Sequence, residues 1–257
     1  MPIIINADDF GMSKEITDAI VDCFVRGAIS STTMIVGSKD SSRAAALAKK
    51  YNIPVGLHLN LDYGMPISEF VKNRSIVDAS GELNVSKFNL TISKNIMSEI
   101  WNEIQAQIEC FTNYGLKMTH IDSHHHIHCH PFIVALLLLK RRELPKKIRT
   151  IRNFESSKTF TKYGFFLWLY KKVVHYLFSF YFTTTDNFTG IRDYQSKNII
   201  AQVKRIMLSA PVGVLEVMCH PGNEEEYAFL VSDEWKELCR VYDSSFINFN
   251  DLPFGGA

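Results

Sequence analysis

The chain has 257 residues, 46% of them hydrophobic and 21% charged, with a formal net charge of +1. That suffices for one large α/β domain with a sizeable core, and the near-neutral charge gives no support for bulk binding of nucleic acid. The five cysteines (Cys23, Cys110, Cys129, Cys219, Cys239) form no CxxC pair and are odd in number, which reads as reduced thiols rather than a disulfide framework.

In chain order, Ile3-Ile4-Ile5 predicts a strand, followed by a helix over 13–26 with Ile16, Ile20 and Phe24 on one face. A second strand is expected at 32–36, an Ala-rich helix at 41–51 and a third strand at 55–61. Residues 97–114 carry Ile100, Ile104, Ile108 and Phe111 at the spacing of a buried helical stripe. Then come a strand at 118–123, an apolar helix at 132–142 and a short strand at 149–151. A helix at 196–208, a strand at 214–219, a helix at 233–242 and a strand at 246–249 complete the series. This β-then-α order argues for parallel strands with covering helices, hence a barrel or a doubly wound sheet in a single domain. The start of the chain lacks the basic region of a signal peptide. No stretch is apolar for the ~18 residues of a membrane span, so a cytoplasmic location is expected.

In such folds chemistry collects past the carboxyl ends of the strands. Four strands here end in suitable groups. Ile3-Ile4-Ile5 runs into Asn6 and Asp8-Asp9-Phe10-Gly11. In the third strand Gly56, His58 and Asn60 share one face. In the fourth, His120, Asp122 and His124 share a face, and six of the nine histidines fall between 120 and 130. The strand ending Cys219-His220-Pro221-Gly222 brings out His220 on the side of Glu216 and Met218. Two carboxylates after a buried strand suit a base beside a metal ligand, although Asp8-Asp9 alone also suits a helix N-terminus. His58 alone resembles a satisfied core histidine, and His220 before Pro-Gly a turn residue. Adjacent side chains diverge, so the histidine run cannot all hold one ion. His124 is the best single choice, with His126 and His128 as pocket groups. One Asp and two His form a site with open positions for one divalent ion. Zinc fits the nitrogen ligands best, and the carboxylate keeps magnesium and manganese compatible.

The segments Asn6-Ala-Asp-Asp-Phe-Gly-Met-Ser13, Ser31-Thr-Thr33, Gly56-Leu-His58, Thr119-His-Ile-Asp-Ser-His-His-His-Ile-His128 and Glu216-Val-Met-Cys-His-Pro-Gly222 resemble the YdjC-like carbohydrate deacetylases, which include chitooligosaccharide deacetylases. The resemblance implies a distorted (β/α) barrel of the glycoside hydrolase/deacetylase type, with Asp9, His58 and His124 as metal ligands. It implies Asp8 as general base and His220 as general acid. Arg149 and Arg152 stand where relatives carry an arginine motif that orients the base or binds substrate. The stretch Thr185-Asp-Asn-Phe-Thr-Gly190, with Asp186, resembles a strand-end loop lining the pocket. The expected activity is hydrolysis of the acetyl group from an N-acetylated amino sugar, on an oligosaccharide or a glycolipid. The alternatives are a metal-dependent phosphoesterase and a non-catalytic metal-binding protein on the same scaffold.

The sequence departs from those relatives at about 154–182. Nine of the eighteen residues 165–182 are aromatic, and Lys171, His175 and Ser179 form one narrow polar stripe. A helix this apolar is expected to bury most of its surface. Packing on the barrel or across a homodimer through 163–182 is favoured over peripheral membrane contact. Seven basic residues lie just upstream (Lys140, Arg141, Arg142, Lys146, Lys147, Arg149, Arg152), which keeps a lipid-linked substrate in view.

Overall fold

The structure is a computed structural model and describes residues 2–69, 76–85, 94–150, 162–191, 201, 203, 212–241 and 245–253. Its centre is β1 (Pro2–Phe10), whose Ile3, Ile4 and Ile5 are wholly buried. Such two-sided burial is what a continuous apolar run in a parallel sheet requires. On one edge β1 pairs β6 (Leu215–Cys219), which in turn pairs β5 (Asn187–Gly190). On the other edge it pairs β2 (Ser31–Met34) and, at its first residues, the two-residue β7 (Ser245–Phe246). The sheet continues through β3 (Val55–Leu59) to β4 (Ile121–Ser123), giving the order β4-β3-β2-β1-β6-β5 with every pairing parallel. Beyond β4, single parallel bridges Ile121–Ile148 and Lys147–Thr183 curl the sheet back toward β5. The result is the expected α/β architecture, a distorted barrel that closes only in part.

Helices cover the outside. Ser13 caps α1 (Lys14–Val25) by accepting the Ile16 N–H, and Asn52 ends α2 (Ser41–Tyr51) in the left-handed region. In α3 (Lys94–Asn113) Ile100, Ile104 and Phe111 face the core. Two polar residues on α3, Glu103 and Gln107, are also buried. Glu103 accepts the N–H groups of Ile67 and Ser68, and Gln107 bonds both backbone groups of Asn60. Together they fix the loop that leaves β3. Pro131 opens α4 (Pro131–Leu139), where its missing N–H costs nothing. The order ends with α5 (Lys162–Tyr181), α6 (Glu224–Leu230) and α7 (Asp233–Val241).

Several expectations change. Of the segment read as a loop at 185–190, Asn187–Gly190 is strand β5, and the strand expected at 246–249 shrinks to β7 followed by a 3-10 turn at Phe249–Asp251. Of the strand expected at 149–151, Arg149 and Thr150 are not in a strand, the nearest pairing is the bridge at Ile148, and 151 lies outside the described residues. Of the helix expected at 196–208, only 201 and 203 are described. In the aromatic region, 151–161 lies outside the described residues and the remainder is α5. That helix does not bury most of its surface. Val174, His175 and Phe178 turn inward, and the aromatic face stays in solvent. All five cysteines are free. No helix among the described residues is long and apolar enough to cross a membrane.

Candidate metal centre

Successive side chains on a strand point to opposite faces, so Asp8 and Asp9 could not both serve one site from a regular β1. The pairing of β1 with β2 shifts register between Ala7 and Phe10, and Asp9 has φ +71°. A bulge with a left-handed residue costs conformational energy and re-aims side chains. Here it delivers two neighbouring carboxylates to the same place.

Asp9 Oδ1 lies 3.3 Å from His58 Nε2 on β3 and 3.2 Å from His124 Nδ1 just past β4. The three ligand atoms fall within 4.8 Å of one another. Two imidazole nitrogens and one carboxylate oxygen form a donor set for a divalent ion. The other ring nitrogen of His58 is 2.7 Å from Asp122 Oδ1, the anchoring that metal-holding histidines use to fix their orientation. Thr33 on β2 donates to Asp122 Oδ2 at 2.9 Å and lies 3.1 Å from His58 Nδ1. The residues expected as ligands are therefore assembled and buttressed in a form that fits such an ion.

Asp8 stands beside this group. Arg149, completely buried, holds both its oxygens at 2.7 Å through Nη1 and Nη2. The same guanidinium reaches Asp122 Oδ2 at 2.7 Å and Glu216 Oε1 at 2.6 Å. Burial alone would raise the Asp8 carboxyl; the charge and hydrogen bonds of Arg149 outweigh it and hold Asp8 well below the usual carboxylate range. For Glu216, on β6, burial wins and pushes it up to about 7. One cation thus keeps Asp8 ionised while a third carboxyl nearby holds its proton more readily.

His220 follows β6. Its backbone N–H donates to Glu226 Oε2 at 2.6 Å, and its Nδ1 lies 3.8 Å from Glu226 Oε1. Burial would lower its pKa, but Glu226 and the charges of Asp8 and Asp9 raise it above the ordinary imidazole value. Glu226 is presented by the short α6, which Asn223 caps by accepting two N–H groups.

The histidine run divides by role. His125 and His126 both take positive φ, which breaks the run into diverging directions. His125 turns to solvent and pairs with Asp62 at 2.7 Å. His126 stands edge-on to Phe188 of β5, with Nδ1 lacking a protein partner. Burial pushes His126 down to about 3, so it is neutral. His128 bonds Ser123 and stacks on Phe178 of α5. His120 packs under Gly56, where a Cβ would meet its ring at 2.6 Å, and stacks on Phe249.

Asp186 is not brought to the site. It is exposed at the amino end of β5, where its carboxylate accepts the Val214 N–H at 2.7 Å, at the opposite end of the sheet from His220. Arg152 lies outside the described residues. Sequence reasoning gave no role to Thr33, Asp122, Glu216 or Glu226. Asp122 and Glu216 carried a signal as acids on strands with apolar flanks (Ile121 beside the first, Leu215 and Val217 beside the second), whereas Thr33 is hidden in a run of hydroxyl residues. Glu226 carried none, because its contact depends on where α6 folds back.

The family model for YdjC-like protein matches residues 2–241. The carbohydrate deacetylase of Clostridium beijerinckii is 31% identical over 98% of this chain and 97% of its own length. That of Vibrio vulnificus strain YJ016 is 30% identical over 99% and 97%. A provisionally assigned cellobiose-phosphate cleavage protein from Enterococcus faecalis V583 has a crystal structure that superimposes with a TM-score of 0.71, at 25% identity over 97% of both chains. With the match running through every strand that carries the site, the chain belongs to the YdjC-like family.

Proposed function

We propose that this protein is a carbohydrate N-deacetylase, which hydrolyses the acetyl amide of an N-acetylated amino sugar to acetate and a free amine. The observation that carries this reading is the Asp9–His58–His124 group with the ionised Asp8 clamped beside it. The relatives named above as carbohydrate deacetylases support it. Asp9, His58 and His124 hold one divalent cation, taken as zinc on ligand softness. Bound there, the ion supplies a Lewis acid that polarises a carbonyl and acidifies water.

The protein's own groups supply the rest. Arg149 fixes both oxygens of Asp8, so the base has one orientation and stays ionised near neutral pH. Asp8 takes the proton that water loses as it adds to the acetyl carbon. His220, held above its ordinary range, carries the proton that the departing nitrogen needs, because an amine is too basic to leave as an anion. His126 offers a neutral ring with a free nitrogen to a sugar hydroxyl or amide. Arg149 acts on the base rather than on the substrate. His128, tied to Ser123 and Phe178, supports the pocket from behind.

Acetate release from N-acetylglucosamine oligomers, with metal content measured in parallel, tests the reading. Asp8→Asn and His124→Ala should each abolish turnover, and only His124→Ala should also release metal. Turnover retained by both purified variants would sink it.

A further inference from the structure

We propose that α5 seats this protein on an anionic lipid surface, with the aromatic face of the helix in the headgroup layer. The orientation of the helix is the first observation. A soluble amphipathic helix turns its apolar side inward, but α5 buries only a narrow inner face of Val174, His175 and Phe178 and leaves most of its apolar side chains outside. His175 is buried against Thr150 at 2.6 Å, while Phe166, Tyr176 and Phe180 are 65%, 60% and 66% exposed. Leu169, Val173 and Leu177 are exposed with them. Spacings of three and four put these six on one face, a stripe about 21 Å long. It exposes on the order of 500 Å² of apolar surface, the size of a monomer's largest apolar patch, which is often functional.

Charge decides between occupants. Lys172 borders the stripe on one side, its Nζ 4.7 Å above the Trp168 ring. Arg141 borders the other, its guanidinium 4.6 Å from the Tyr181 ring. Residues 162–181 contain no aspartate or glutamate. Two copies pairing through this face would bring cations together with no acid on either helix to meet them. A lipid surface instead offers anionic headgroups to both borders and an acyl boundary to the stripe between. Trp and Tyr beside the cations match the residues favoured at that boundary. The buried side of the same helix holds the catalytic region, since Tyr170 donates to the Cys129 carbonyl at 2.6 Å and Phe178 stacks on His128. Docking through α5 therefore sets the segment carrying His124 close to the lipid surface.

Flotation of the full chain with vesicles tests this without reference to catalysis, so its failure is distinguishable from failure of the deacetylase reading. The protein should float with equimolar phosphatidylcholine–phosphatidylglycerol vesicles and stay behind with phosphatidylcholine alone. Phe166→Glu with Phe180→Glu should abolish binding at an unchanged melting temperature, because both side chains are in solvent. Should that pair perturb folding, Lys172→Gln and Arg141→Gln give an independent readout, each weakening binding about fivefold. Equal binding to both vesicle types, or no binding to either, would overturn the proposal. A dimer in sedimentation equilibrium that Phe166→Glu with Phe180→Glu converts to monomer would also overturn it, and would assign the stripe to a second copy.

Discussion

Arg149→Met tests the charge arrangement directly. It replaces a buried guanidinium by an apolar side chain of similar reach. In the native protein that cation contacts Asp8, Asp122 and Glu216 at 2.6 to 2.7 Å. Removing it leaves the Asp8 carboxylate buried without the cation that both its oxygens meet. Breaking a buried ion pair from one side costs about 3–5 kcal/mol. For a chain of this length each kcal/mol lowers the melting temperature by roughly 2 °C, so the expected loss is about 6–10 °C. Calorimetry on the metal-loaded protein at pH 7.5 reads it. Turnover should fall by about 100-fold or more, because Asp8 loses its alignment. The pH dependence has a definite sign. In the native protein the Asp8 value is depressed, so its stabilising contribution is full at neutral pH and fades only as the pH falls through that low value. In the variant, burial without Arg149 raises Asp8, and protonation relieves the strain. The stability gap should therefore narrow between pH 7.5 and pH 5. A variant melting within about 2 °C of the wild type, or a gap that widens in acid, would refute the reasoning.

Three further outcomes follow from the same geometry. Glu226→Gln removes a charge that holds His220 above its ordinary range; since the protonated acid is lost as pH rises through that value, the alkaline limb of kcat/KM should move to lower pH, and superimposable profiles would exclude the role. Asp122→Asn frees the ring of His58 and should weaken metal binding by about 10–100-fold in chelator competition, whereas unchanged affinity would show that the carboxylate does not orient the ligand. Asp186→Ala should leave kcat and KM as they are, with a stability loss of about 1 kcal/mol from the lost Val214 contact; a raised KM would return that residue to the substrate.

The parallel sheet and most of its helices were legible because the apolar runs and the 3.6-residue stripes are clean, as in α3 with Ile100, Ile104 and Phe111. The candidate ligands were legible as polar residues at the ends of buried strands. The device that lets both Asp8 and Asp9 serve was not, because strand alternation places neighbours on opposite faces and only the bulge at Asp9 overrides it. The histidine run misled by its density. Positive φ at His125 and His126 sends successive rings in different directions, and one of them, His124, joins the metal group. The inward turn of His175 on α5 also could not be read from the helix alone, since it depends on Thr150 standing opposite.

His58 and Asp122 are more than hydrogen-bonded; they are direct register partners across β3 and β4. Altering Asp122 leaves the buried His58 ring without its orienting acceptor, and altering His58 leaves Asp122 Oδ1 unmet while Thr33 and Arg149 still hold Oδ2. The two positions are therefore coupled through one contact. Across divergent members of the family the two positions should change together or not at all. A chain that keeps the histidine but has lost the partner acid would mark a branch in which the site has been released from selection for turnover.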